Sequence, residues 1–169
     1  MSVLKLVAAP NEILSTRARE VEEAEFGDEL VEFTSNMAES MYAHRGIGLA
    51  APQVNDGRRI IVVDPFGEGK EIYRMVNPVI LERSEETVVA EEQCLSVPFG
   101  KVKVDRARYI HLQWFSPDGS GPHTEEFVDW PATVFQHEID HLDGVTLYDR
   151  MSHFKKKRYL KSRKKKIGF

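Results

Sequence analysis

The run FQHEIDHLDG, residues 135–144, holds two histidines four positions apart with a glutamate beside the first. On a helix, positions i and i+4 lie one above the other, so His137 and His141 converge where two imidazoles can hold a metal. Glu138, next to the first of them, then reaches a water at that metal and can act as a general base. Local signals agree with a helix. Pro131 suits a first turn, Val134, His137, Glu138, His141 and Leu142 recur at helical spacing, and Gly144 can end it. The plain alternative is two unrelated surface or core histidines.

Two imidazoles do not close a site. In the metzincin pattern a third His follows the glycine by three residues, a place taken here by Leu147. Thermolysin-type proteases complete the site with a later Glu, and no Glu follows Glu138. Asp143 would face away on a helix, and Asp149 lies beyond the break at Gly144. The better candidate is the only cysteine, Cys94, in AEEQCLSVPFG, residues 90–100. A thiolate with two imidazoles leaves one tetrahedral position open, which is a catalytic arrangement. A lone cysteine is otherwise a small buried hydrophobe. A third stretch, HRGIGLAAPQVNDG at 44–57, offers glycines suited to close backbone approach and Gln53, whose amide can donate to a developing oxyanion.

The elements that must position these residues are legible in outline. Residues 28–43 read as a helix capped by Asp28, with Phe26, Leu30, Phe33, Met37 and Met41 as its apolar stripe. Five β-like runs follow: RRIIVVD, EIYRMVNPVIL, ETVVAEE, VKVDRARYIHLQWF and TEEFV. Turn signals such as PFGEGK and SPDGSGP separate them as hairpin connections. Strands preceding the His-bearing helix give an α+β domain of mainly antiparallel sheets packed around it. A length of 169 residues, 41% hydrophobic and 30% charged, fits one such domain. A single cysteine permits no internal disulfide and suits a reducing compartment. The apolar run before Pro10 is short for a signal peptide, and no stretch approaches a membrane span, so a soluble cytoplasmic protein is expected. Residues 155–166 carry nine basic side chains and no acid, leaving 14 of the 23 Lys and Arg against all 27 Asp and Glu. Such a run is either a solvated end or a phosphate-binding stripe.

Together, GIGLAAPQ, EQCLS and QHEIDH, in this order, resemble the motifs of the peptide deformylase family. LVAAPNEIL falls at the place of that family's Pro-containing opening strand and turn, so the resemblance covers most of the chain. It implies the same α+β fold, with the His-bearing helix central, an N-terminal helix and a basic C-terminal helix or tail. It implies a metallo-amidase that removes the formyl group from N-formyl-methionyl peptides, with Cys94, His137 and His141 as ligands. Fe²⁺ is the implied native ion, replaceable by Zn²⁺, Ni²⁺ or Co²⁺, although affinity order alone favours zinc over iron. Glu138 is the implied proton carrier, and the Gln53 amide and the Leu95 N–H are the implied oxyanion donors. Gly46, Ile47 and Gly48 form the implied edge on which substrate lies as an added strand, with Val134 walling the methionine pocket. The resemblance also divides the chain into a catalytic domain, 1–154, and a basic tail, 155–169, that docks on ribosomal RNA. One departure stands out: the family carries Gly before the Cys, and here Gln93 requires a backbone that accepts a β-carbon. An active enzyme with altered kinetics or metal retention is expected. The alternatives are a weakly active or inactive ribosome-associated relative, supported by Gln93 alone, and a different metal amidase. Arg106 is expected either to pair with Glu92 or to sit on the surface.

Overall fold

The computed structural model describes residues 2–167; Met1 and the last two residues of the predicted tail, Gly168 and Phe169, lie outside the described residues. Among the described residues, three α-helices, α1 (Asp28–Ala43), α2 (Trp130–Leu142) and α3 (His153–Ile167), combine with seven strands. The strands are β1 (Gly48–Ala50), β2 (Ile60–Val63), β3 (Tyr73–Arg83), β4 (Thr87–Cys94), β5 (Val97–Ala107), β6 (Tyr109–Phe115) and β7 (His123–Val128). One antiparallel sheet runs β1-β2-β3-β6-β7, and β4 and β5 form a separate hairpin. This is the α+β arrangement expected from the sequence.

Why β2 reads as four apolar residues without alternation follows from where it lies. Ile60 and Val62 join Leu30, Met37 and Met41 in the cluster beneath α1. Ile61 and Val63 point the other way and join Phe135, Ile139 and Leu142 of α2. A strand covered on both faces needs apolar side chains at every position. Tyr73 meets Phe127 and Phe135 edge to face, tying α2 to β3 and β7. A third cluster joins the hairpin to the C-terminal helix through Cys94, Val97, Val102, Leu147, Met151 and Tyr159. Tyr159 is buried and its hydroxyl donates to Ala9 O at 2.7 Å, so α3 is seated on the core.

Three local expectations need correction. Gly27, with φ of 135°, occupies the cap position of α1, and Asp28 is instead the first helical residue, where its charge favours the positive end of the helix dipole. VKVDRARYIHLQWF is two strands: at Arg108 the N–H donates to Glu86 O and the carbonyl accepts from Asp129, which turns the chain out of the hairpin and into the sheet. The opening segment is no strand of either sheet. Its amides donate from Val7 to Gln53 O and from Ala9 to Ser96 O before a short 3-10 turn at Glu12–Ser15. Among the described residues, no helix is long and apolar enough to cross a membrane.

Candidate active site

Helix α2 presents the two histidines as its sequence requires. Pro131 lies in the first turn, where its missing N–H costs nothing, and Gly144, at φ of 76°, takes the left-handed conformation past the last turn. His137 and His141 lie one turn apart, their rings meeting edge-on with centroids 5.0 Å apart. Cys94, at the end of β4, brings its sulfur 3.3 Å from His141 Nε2. One ligand atom from each of the three residues lies within 4.8 Å of the others. A thiolate sulfur and an imidazole nitrogen bound to one tetrahedral ion stand about 3.5 Å apart, so the donor set fits a metal.

The surroundings orient each ligand. Glu92 and Cys94 are two apart on one strand and share a face. Glu92 Oε1 therefore sits 2.8 Å from His137 Nδ1, leaving Nε2 to face the site. Arg106 is buried, and its Nε and Nη2 donate to the two Glu92 oxygens at 2.8 Å each, which excludes the surface alternative. Burial alone raises the Glu92 carboxyl, but Arg106 and His137 outweigh it and hold the group down at about 2. Burial pushes His141 well below its ordinary value, so its lone pair is available. Burial lowers His137 too, yet hydrogen bonding to Cys94 and Glu92 wins and raises it, so loading a metal must displace a proton there.

Glu138 follows His137 but points differently. Its carboxyl is buried, its Oε1 lies 4.0 Å from His137 Nε2, and Oε2 has no hydrogen-bond partner among the described residues. Burial pushes it up to about 7. Gln53, in the 3-10 turn after β1, is fixed by the Ala50 N–H donating to its Oε1. Its Nε2 donates to Ser96 Oγ at 3.1 Å and, weakly, to Cys94 Sγ at 3.5 Å.

A cleft of about 490 Å³ opens onto this cluster, and every residue expected from the sequence to be a ligand, a catalytic group or a substrate contact lines it except His141, which lies beneath. Sequence reading missed Glu92 as the partner of His137, along with Trp130, Thr133, Arg45 and Glu91 on the cleft wall. Trp130 and Thr133 precede His137 by seven and four, a helical signal that was available. Glu92 was equally available from its spacing to Cys94; Arg45 carried no signal. Gln93 lies where the β4–β5 register slips between Glu92 and Cys94, a bulge, and its backbone is not in the positive-φ region. Its side chain is exposed, so Cys94 keeps its aim.

Gly48 is the tightest point. A β-carbon there would overlap the Glu138 carboxyl. Gly48→Ala is expected to displace Glu138 and lower turnover about 10²-fold, the cost of a misplacement near 1 Å, with metal content by elemental analysis unchanged.

Comparison with known proteins agrees with this geometry. Residues 3–157 match the family described as Polypeptide deformylase. A peptide deformylase of Brucella suis biovar 1 is 39% identical over 98% of this chain and 94% of its own length. A peptide deformylase structure from Legionella pneumophila superposes with a TM-score of 0.87 at 33% identity, covering 95% of this chain and 92% of that one. A class I type b peptide deformylase from Acinetobacter baumannii, with Met-Ala-Ser bound, gives 0.82 at 33% identity over 89% and 99%. A cysteine sulfur and two imidazoles gathered at the foot of one cleft, on a fold and sequence shared along nearly the whole chain, have one explanation: this chain belongs to the peptide deformylase family, metal-dependent amidases that remove N-formyl groups from nascent peptides.

Proposed function

We propose that Cys94, His137 and His141 hold Fe²⁺ in the native protein and that Glu138, Gln53 and Leu95 carry the hydrolysis of an N-formyl-methionyl peptide. The observation that carries this reading is the sulfur–nitrogen–nitrogen cluster at the foot of the cleft, with the buried Glu138 carboxyl beside it. The metal, when bound, supplies a Lewis acid that polarises the formyl group and acidifies the attacking water. Glu138 Oε2, without a partner among the described residues, takes the proton from that water and returns it to the departing amine. As charge builds on the formyl oxygen, the Gln53 amide exchanges its long contact to sulfur for one to that oxygen, and the Leu95 N–H adds a second donor.

Strand β1 is the terminal strand of its sheet, and although the Ala50 N–H is held by Gln53, the outer side of the strand at Gly48, with Gly46 and Ile47 leading into it on the cleft wall, can receive an extended peptide. Val134 and Thr133 on α2 wall the methionine pocket. Met-Ala-Ser binding by the Acinetobacter relative supports this substrate class. The metal assignment is tested by reconstitution under anaerobic conditions. Iron-loaded protein is expected to release formate about tenfold faster or more than zinc-loaded protein, a margin of about 1.4 kcal/mol in the barrier. Equal rates would remove the iron assignment.

The basic run supports a second contact, with ribosomal RNA. On α3, Lys157, Arg158, Lys161, Lys164 and Lys165 are all exposed and recur at helical spacing as one stripe. Because Tyr159 is part of the cluster that holds Cys94, a test should neutralise the stripe without removing the helix. Changing these five residues to Gln is expected to abolish co-sedimentation with ribosomes and leave hydrolysis of a short formyl-peptide unchanged. Undiminished co-sedimentation would refute the contact.

A further inference from the structure

We propose that Asp140 and Arg150, neither of which lines the cleft, are positioning residues that set from outside how firmly His137 holds the metal. This rests on Cys94, His137 and His141 being the ligands. The observation is an unbroken row of alternating charge. His137 Nδ1 meets Glu92; Glu92 is clamped by Arg106 through two hydrogen bonds; the remaining Arg106 nitrogen, Nη1, donates to Asp140 Oδ2; and Arg150 Nη2 donates to the same oxygen at 2.8 Å. The inner members are almost fully buried, with Glu92 and Arg106 side chains each 4% exposed, whereas Asp140 and Arg150 are 24% and 37% exposed.

The row has a sign at each step. A carboxylate accepting the Nδ1–H of a ligand histidine makes its other nitrogen a better donor to metal. Arg106 weakens that push by neutralising Glu92, and Asp140 restores it by sharing the guanidinium's charge. Arg150 in turn draws off part of Asp140. The two outer residues therefore act oppositely: Asp140 tightens the centre and Arg150 loosens it. If they served only to brace the fold, removing either would loosen the same network, and both changes would weaken metal binding together.

The experiment uses full-length protein loaded with Co²⁺, whose visible absorption with a thiolate ligand follows its loss to excess chelator. Asp140→Asn is expected to lose cobalt about tenfold faster than the parent. Arg150→Gln is expected to lose it about threefold slower, a smaller change because this guanidinium is partly in solvent. Arg150→Lys, which keeps the charge, is expected to match the parent. Acceleration by both neutral variants, no change in either, or Arg150→Lys behaving like Arg150→Gln would overturn the proposal. Should Asp140→Asn fail to fold, the Arg150 pair decides it alone. A parent that takes up no stoichiometric cobalt would instead overturn the ligand assignment itself.

Discussion

Glu138→Gln is expected to reduce formate release from a formyl-methionyl peptide by about 10²–10⁴-fold, the usual contribution of a positioned acid–base group, while metal content is unchanged. The substitution keeps the size of the side chain and removes only its capacity to take a proton. Glu138 is suited to that task by its surroundings. Burial raises its carboxyl to about 7, so the cost of protonating it near neutral pH is small. One oxygen lies beside the His137 ring nitrogen and the other is free of any partner among the described residues. Its carboxyl lies against Gly48, where a β-carbon would occupy the same space. Retained metal with lost turnover separates proton transfer from metal binding, because a ligand role would lose both. Turnover within threefold of the parent would move the proton transfer to another group.

The chemistry was more legible than the path of the chain. His137, Glu138 and His141 could be placed because helical periodicity converts spacing directly into direction, and Gly144 marks the end of that geometry. Cys94 and Gln53 come from segments with no sequence relation to that helix. Cys94 stands out as the only cysteine and Gln53 only beside the other two motifs, and it is the antiparallel pairing of β1 with β2 and of β4 with β5 that places them beside it. The same gap explains Arg106. An arginine between Asp105 and Ala107 looks like any solvated strand residue until Glu92 is known to lie on the facing strand near the foot of α2. The split at Arg108 was hidden for another reason: one residue carries the chain between two sheets, with its own amide and carbonyl bonded to different loops. Such a break has no Gly or Pro to announce it. Gln93 raised a doubt about the backbone that the bulge resolves, since the extra residue is taken up by the register shift with its side chain in solvent.

Arg106→Met is expected to destabilise the protein by about 3–5 kcal/mol, because it leaves the Glu92 carboxylate buried without its partner. For a chain of this size that corresponds to roughly 6–20 °C in Tm. The loss should depend on pH. Glu92 has a folded-state pKa held down to about 2, so its contribution to stability is fully present above its ordinary value near 4.5 and is lost as pH falls through the folded one. In metal-free protein, the Tm gap between parent and variant is therefore expected to be widest near neutral pH and to narrow as pH falls from about 4.5 through about 2. A gap that stays constant with pH would show that Arg106 stabilises through packing alone. Adding Glu92→Gln to Arg106→Met removes the stranded charge and should recover most of the stability. It should not recover the metal site. A neutral amide still accepts from His137 Nδ1 but pushes less charge onto the ring, so the double variant is expected to melt near the parent while losing metal to chelator faster. Stability and metal retention would then have been separated within one buried group of charges. Recovery of both together would mean that the Glu92 charge has no part in holding the ligand.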